Sequence, residues 1–147
     1  MLNTLLGGYY GSRLMQNLRE KKGLTYHIYS SLDTFLFGGY FLISTEVDKS
    51  RSELALNQIK KEIKRLQDQP VPARELQTVK HYLKGSFLNY FENAFAYSEL
   101  VRALSLEGGV ETFKKLLVGL ENVDSKAILE LANKYFQEKD LTLVMIS

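Results

Sequence analysis

Cysteine and tryptophan are absent from the 147 residues, and proline and histidine occur only twice each. Without cysteine there are no disulfides and no thiolate metal sites, although this absence names no compartment. The histidines are His27 and His81, and neither belongs to a His-x-x-His, His-Glu-x-x-His or His-x-x-Glu-His pattern. A catalytic zinc takes three protein ligands, mostly histidine. His27 and His81 therefore read as ordinary surface or boundary residues, and no metal site is expected on this chain. No run of eighteen apolar residues exists, so no membrane span is expected. Met1-Leu2-Asn3-Thr4 lacks the charged and apolar regions of a signal peptide. A Gly-x-Ser-x-Gly elbow is missing. The glycine cluster Gly7, Gly8 and Gly11 does not spell Gly-x-Gly-x-x-Gly, and it precedes the first strand-like segment, which argues against a nucleotide loop. Nineteen basic residues stand against 17 acidic ones, for a net charge of +2, and this leaves no electrostatic footprint for nucleic acid.

What remains is ordinary globular material: 45% hydrophobic and 24% charged residues, enough for a core and for one domain over residues 1–147. Leu2, Leu5, Leu6, Tyr9, Tyr10, Leu14 and Leu18 fall on a helical stripe, interrupted by the three glycines, which predict a bend or a close backbone approach. Arg19-Glu20-Lys21-Lys22-Gly23 reads as a helix end, with cations at the negative end of the dipole and a glycine for the left-handed position beyond it. Leu24 to Leu32 alternates as a strand, and Gly38 to Val47 as a second, joined as a hairpin through residues 33–37.

Asp48 is placed to cap a helix to about Gln67, with Leu56, Ile59, Ile63 and Leu66 on its buried face. Gln69-Pro70-Val71-Pro72 breaks the chain, and Pro72 suits the first position of a helix striped by Leu76, Val79, Leu83, Phe87 and Tyr90. Asn93 caps a helix to Leu106, stopped by Gly108-Gly109; a short helix follows over about Glu111 to Leu120. Asp124 caps a last helix to about Phe136, with Ile128, Leu131 and Tyr135 inward, and Leu141 to Ile146 forms an apolar strand inserted between others. The order predicts an α+β fold of two layers, with helices packed on one face of a mainly antiparallel sheet. The tyrosines and basic residues scattered along these helices read as packing rather than as nucleic-acid stacking.

The run from Leu6 to Tyr26, containing Gly11-Ser12-Arg13-Leu14, Leu18-Arg19-Glu20 and Gly23-Leu24-Thr25-Tyr26, resembles a signature of the insulinase (pitrilysin) family of zinc peptidases. It is similar to the C-terminal domain of the bacterial members and of the mitochondrial processing peptidase. Weaker matches follow in order: the glycine-bearing second strand, Pro72 to Leu76, Asn122-Val123-Asp124 and Leu141-Thr142-Leu143-Val144. The resemblance covers nearly the whole chain.

It implies half of a processing-peptidase-like metallohydrolase, whose N-terminal half carries the inverted zinc motif. This chain matches only the second half and lacks the family's opening strand, so it looks like a fragment of a longer peptidase. Zinc is then expected on the missing half, with a peptide substrate between the two. The family's second half contributes an arginine and a tyrosine to substrate, and the matching positions are Arg19 and Tyr26. Read without the resemblance, Arg19 is a cation at a helix end and Tyr26 a strand residue packing on a core. Arg13 reads as a structural salt-bridging residue. The alternatives are an inactive partner subunit or peptide-binding scaffold of the same family, and an unrelated small α+β domain. An excised half would expose its interdomain surface, which leaves homodimerisation open.

Overall fold

The structure is a computed structural model that describes residues 1–35, 37–106 and 109–146. The fold is α+β and helix-rich. By backbone proximity the chain forms two compact units: Leu2–Val71 with the segment that begins at Lys126, and Pro72–Ser125 together with Met1.

In the first unit, helix α1 spans Leu2–Leu6 and a π-helix spans Met15–Lys21. The single stripe read from Leu2 to Glu20 is thus cut at the glycines, as their clustering predicts. Gly7 explains where. The Ser30 N–H donates to the Gly7 carbonyl at 3.1 Å, and a Cβ on Gly7 would lie 2.6 Å from Ser30 Oγ and 2.8 Å from Ser30 N. Only a residue without a side chain lets the end of α1 reach the sheet this closely.

Strands β1 (Ile28–Phe35) and β2 (Gly38–Thr45) form an antiparallel hairpin with Ile28 opposite Thr45, Ser30 opposite Ile43 and Leu32 opposite Phe41. The first strand starts four residues later than its alternation suggests. Leu24 and Thr25 are both buried, so the period of two fails before Ile28. The ladder continues to Phe35 and Gly38, so the connection is shorter than the five residues expected; Leu36 lies outside the described residues. α1 and the π-helix cover the face of β1 that carries Ile28.

Helix α2 (Ser52–Asp68) presents Ala55, Glu62, Ile63 and Leu66 to the interior. Asp48 caps the turn leading into it, accepting from the Ser50 N–H at 2.8 Å. Asn17 of the π-helix donates to Glu62 Oε1 at 2.7 Å, and Arg65 donates to the same carboxylate at 3.2 Å. A carboxylate that is 3% exposed is costly unless its lone pairs are satisfied, and these two donors do so. Helix α6 (Ser125–Tyr135) buries Ile128 and Ala132, and Phe136 just beyond it packs on Phe41 of β2 at 5.0 Å between ring centres. The inner face is therefore Ile128-Ala132-Phe136; Leu131 and Tyr135, expected inside, are 39% and 60% exposed. Buried Leu5, Leu6, Leu14, Leu18 and Ile28 form the core here, each contributing about 1.5–3 kcal/mol by leaving water.

The C-terminal run Leu141–Ile146, expected as an inserted strand, joins no ladder: the sheet is β1 and β2 alone among the described residues. Its side chains stand exposed, Val144 at 76% and Ile146 at 96%. An apolar run becomes a strand only through a partner's hydrogen bonds, and neither β1 nor β2 supplies them.

The second unit holds α3 (Ala73–Leu88), α4 (Ala94–Leu106) and α5 (Gly109–Asn122). Pro72 precedes the first of these rather than occupying its first turn. Asn93 caps α4 through Ala96 N–H at 2.8 Å. Gly109, at φ +75°, opens α5, while Gly108 lies outside the described residues. Lys80 is buried, and its ammonium donates to the Glu121 carbonyl at 2.6 Å. That carbonyl lies at the negative end of α5, which suits a cation. Phe87 and Phe113 meet edge to face at 5.7 Å.

Two glycines give a paired stability test. Gly7→Ala forces a Cβ against the Ser30 backbone and should lower unfolding free energy by about 1–3 kcal/mol. Gly23→Ala meets open space and should cost only the left-handed conformation, about 1–2 kcal/mol, with Gly23→Asn milder. Denaturant melts of the variants check both; an unchanged midpoint for Gly7→Ala would mean that α1 does not seat on β1 as described.

Candidate functional site

Beyond the π-helix and its cap Lys22 stands Gly23, whose φ of +56° is the left-handed conformation that a side chain disfavours. The closing bonds run from Leu24 N–H to the Leu18 carbonyl at 2.8 Å and from Gly23 N–H to the Arg19 carbonyl at 3.1 Å. The bond from Leu24 to Leu18 spans one residue more than the longest closing bond of an α-helix, as the wider π-turn requires. The chain then reverses, and the two ends of the reversal face one cleft.

That cleft is open, about 860 Å³ in volume, and is lined by Arg19, Glu20, Gly23, Leu24, Thr25 and Tyr26, with residues 46–48, 50 and 51 opposite. Arg19 and Tyr26, seven positions apart, line the same cavity. The Arg19 guanidinium lies 4.7 Å over the Tyr10 ring, and its Nη1 donates to Glu20 Oε1 at 2.9 Å. Tyr10 also reaches Glu20 from its hydroxyl, at 3.4 Å. Ring and carboxylate orient the guanidinium, and among the described residues donors of its fork remain uncommitted. The pair is partly exposed, with side chains at 31% and 43%, so it orients more than it stabilises.

Tyr26 is 95% exposed. This is opposite to a strand residue packed on a core. The cause is Thr25, which turns inward in its place and is 8% exposed. The Thr25 hydroxyl has the Glu46 carbonyl at 2.7 Å and the His27 carbonyl at 2.9 Å as acceptors. It accepts in turn from the His27 N–H at 3.1 Å and from the Thr45 hydroxyl at 3.1 Å. With both sides of the bend tied to one oxygen, the intervening Tyr26 projects into solvent at the cleft.

The opposite wall is the entry to α2. Hydrogen bonds from the Ser50 hydroxyl and the Ser50 N–H, with the nearby Arg51 charge, hold the Asp48 carboxyl below the usual carboxylate range. Arg51 Nη1 lies 3.5 Å from the Gly23 carbonyl. The sequence pattern pointed to Arg19 and Tyr26 but not to Thr25 or Arg51; only Asp48 was legible, as a cap. His27 and His81 are exposed, and His27 tilts against Tyr29 at 5.4 Å between ring centres. Among the described residues no group of three His, Asp or Glu side chains could hold a metal ion.

The profile of the family described as "Peptidase M16 inactive domain" matches residues 1–83. The "Uncharacterized zinc protease YmxG" of Bacillus subtilis is 28% identical over all of this chain and 36% of its own length. The "Probable inactive metalloprotease YmfF" of the same organism is 24% identical over 91% of this chain and 31% of its own length. A protease from Helicobacter pylori superposes with a TM-score of 0.82 at 19% identity, over 93% of this chain and 33% of that one, a likeness of fold. The chain spans about a third of the length of the curated relatives it matches. With the signature run inside the matched residues and the left-handed turn at Gly23 shaping a cleft from it, the chain belongs to the inactive-domain family of the M16 peptidases, the insulinase and pitrilysin group.

Proposed function

We propose that this chain is the substrate-binding, non-catalytic half of a zinc-dependent endopeptidase acting on unfolded or short peptides, with residues 1–147 working as one C-terminal domain. The observation that carries the reading is the convergence of Arg19 and Tyr26 on one open cleft in a member of an inactive-domain family. Zinc and its activated water belong to the other half, on the same polypeptide or a second one. What this chain supplies is binding and positioning. Peptide hydrolysis builds negative charge on the carbonyl oxygen, and a preorganised donor stabilises it. The exposed Tyr26 hydroxyl is such a donor. The forked Arg19 guanidinium, oriented by Tyr10 and Glu20, grips a peptide carbonyl.

A second reading is a partner subunit that presents the same cleft without cleavage. It is favoured by the relative whose name calls it an inactive metalloprotease. Zinc content and peptidase assays of the chain alone, then mixed with a zinc-bearing half, separate the two. Activity confined to the mixture supports the first; peptide binding without any cleavage supports the second. Stoichiometric zinc in the isolated chain would sink both.

In the active mixture, Tyr26→Phe should lower kcat by about 10²-fold, the loss of one transition-state donor. Arg19→Ala should raise KM about tenfold, as a lost charge-assisted contact does. Thermal melts should barely move, and full activity in both variants would refute the assignment.

Thr25 is predicted to act through Tyr26. Thr25→Val removes the shared hydroxyl and should cost about 1–3 kcal/mol of stability, because buried backbone groups lose their partner. It should lower kcat more than it raises KM, and Thr25→Ser should restore kcat. A Val variant that is destabilised but turns over normally would reduce Thr25 to a structural residue.

A further inference from the structure

We propose that Arg51 is a third substrate contact, which selects peptides carrying a carboxylate at the cleft; this rests on the peptide-binding reading of the same cleft. Arg51 comes from a different part of the chain, the 3-10 turn Lys49–Arg51 that runs into α2, yet it lines the cavity with Arg19 and Tyr26. Its place breaks a local rule. The first turn of a helix favours acids, because the N-terminal N–H groups already carry partial positive charge, and a cation there is mildly unfavourable. Asp48 caps this turn by accepting from the Ser50 N–H, and a guanidinium, which only donates, takes no part in such a cap. Asp48 offsets part of that cost, because its carboxyl feels the Arg51 charge, but its hydrogen bonds go to Ser50 and leave the guanidinium fork unengaged by it.

The guanidinium is also weakly committed. Its contact with the Gly23 carbonyl is at 3.5 Å, the outer limit of a hydrogen bond, and the side chain is exposed. Arg19, by contrast, is already bound to Glu20. Of the other charges in the lining, Glu20 is engaged by Arg19 and Tyr10, and Asp48 by Ser50; Glu46 adds an exposed carboxylate. Two arginines stand against three carboxylates in this lining, so the cleft as a whole offers an anion no long-range attraction. Discrimination must come from a short forked contact, which guanidinium makes with carboxylate and ammonium does not. Two sources provide that carboxylate: the C-terminus of a short peptide, or an Asp or Glu side chain within it.

The test is binding of fluorescent peptides to the full chain by anisotropy. Three peptides of one sequence are compared: one with a free C-terminus and no acidic side chain, one amidated and containing Glu, and one amidated with that Glu replaced by Gln. The wild-type chain should prefer one of the first two over the neutral peptide by about 2- to 5-fold, the size of an exposed ion pair. Which of them it prefers identifies the source. Arg51→Gln should abolish that preference, the favoured acidic peptide losing about 2- to 5-fold in affinity relative to the neutral one, and Arg51→Lys should restore it only in part. Equal affinity for all three peptides, or an equal loss for all three in Arg51→Gln, overturns the assignment of Arg51 and leaves the peptide-binding reading standing. Absence of any peptide binding by the wild-type chain overturns both.

Discussion

The left-handed turn at Gly23 is the constraint on which the cleft depends. A π-helix is wider than an α-helix, so the chain beyond it must swing further back to reach the Leu18 carbonyl. Gly23, at φ +56°, lets the chain swing back so that Leu24 N–H reaches the Leu18 carbonyl. Leu18 and Leu24 are then both buried, and the apolar core holds the turn from beneath. Arg19 on the incoming arm and Tyr26 on the outgoing arm line one cavity as a consequence.

The surroundings fix this turn from two sides. Asn17 ties the π-helix to α2 through buried Glu62, which sets the wall from which Arg51 faces the turn. Thr25 ties the start of the hairpin to Glu46 and Thr45 at the end of β2. The order of burial matters here: Thr25 goes inside because its single hydroxyl serves several backbone groups, and Tyr26 goes outside as a result. Local geometry thus produces an exposed phenol that hydrophobicity alone would have hidden. The charges of the cleft remain screened and partly paired, so its chemistry is that of short directional donors rather than of a strong field.

Much of the fold was legible because it depends on neighbours in sequence. The glycine cluster marked the break after α1, Asp48 and Asn93 marked helix caps, and the proline pair marked the start of α3. Errors arose where a partner decides the outcome. Leu141 to Ile146 has the composition of a strand but joins no ladder among the described residues. Leu131 and Tyr135 lost the inner face of α6 to Ala132 and Phe136, because Phe41 offers a ring for Phe136 to pack on. The start of β1 moved because Thr25 found acceptors twenty residues away.

The sequence by itself determined the helix end at Arg19 to Gly23, the lack of a histidine-based metal motif, and the run resembling a family signature within which Arg19 and Tyr26 fall. These are properties of local spacing and of residue type, and both survive any arrangement of the rest. Only the tertiary structure decided that Tyr26 faces solvent, that Thr25 holds it there, and that Arg51 joins Arg19 across the cleft. Each of those depends on contacts between segments about twenty to thirty residues apart, which the folded core brings together and which no local pattern encodes.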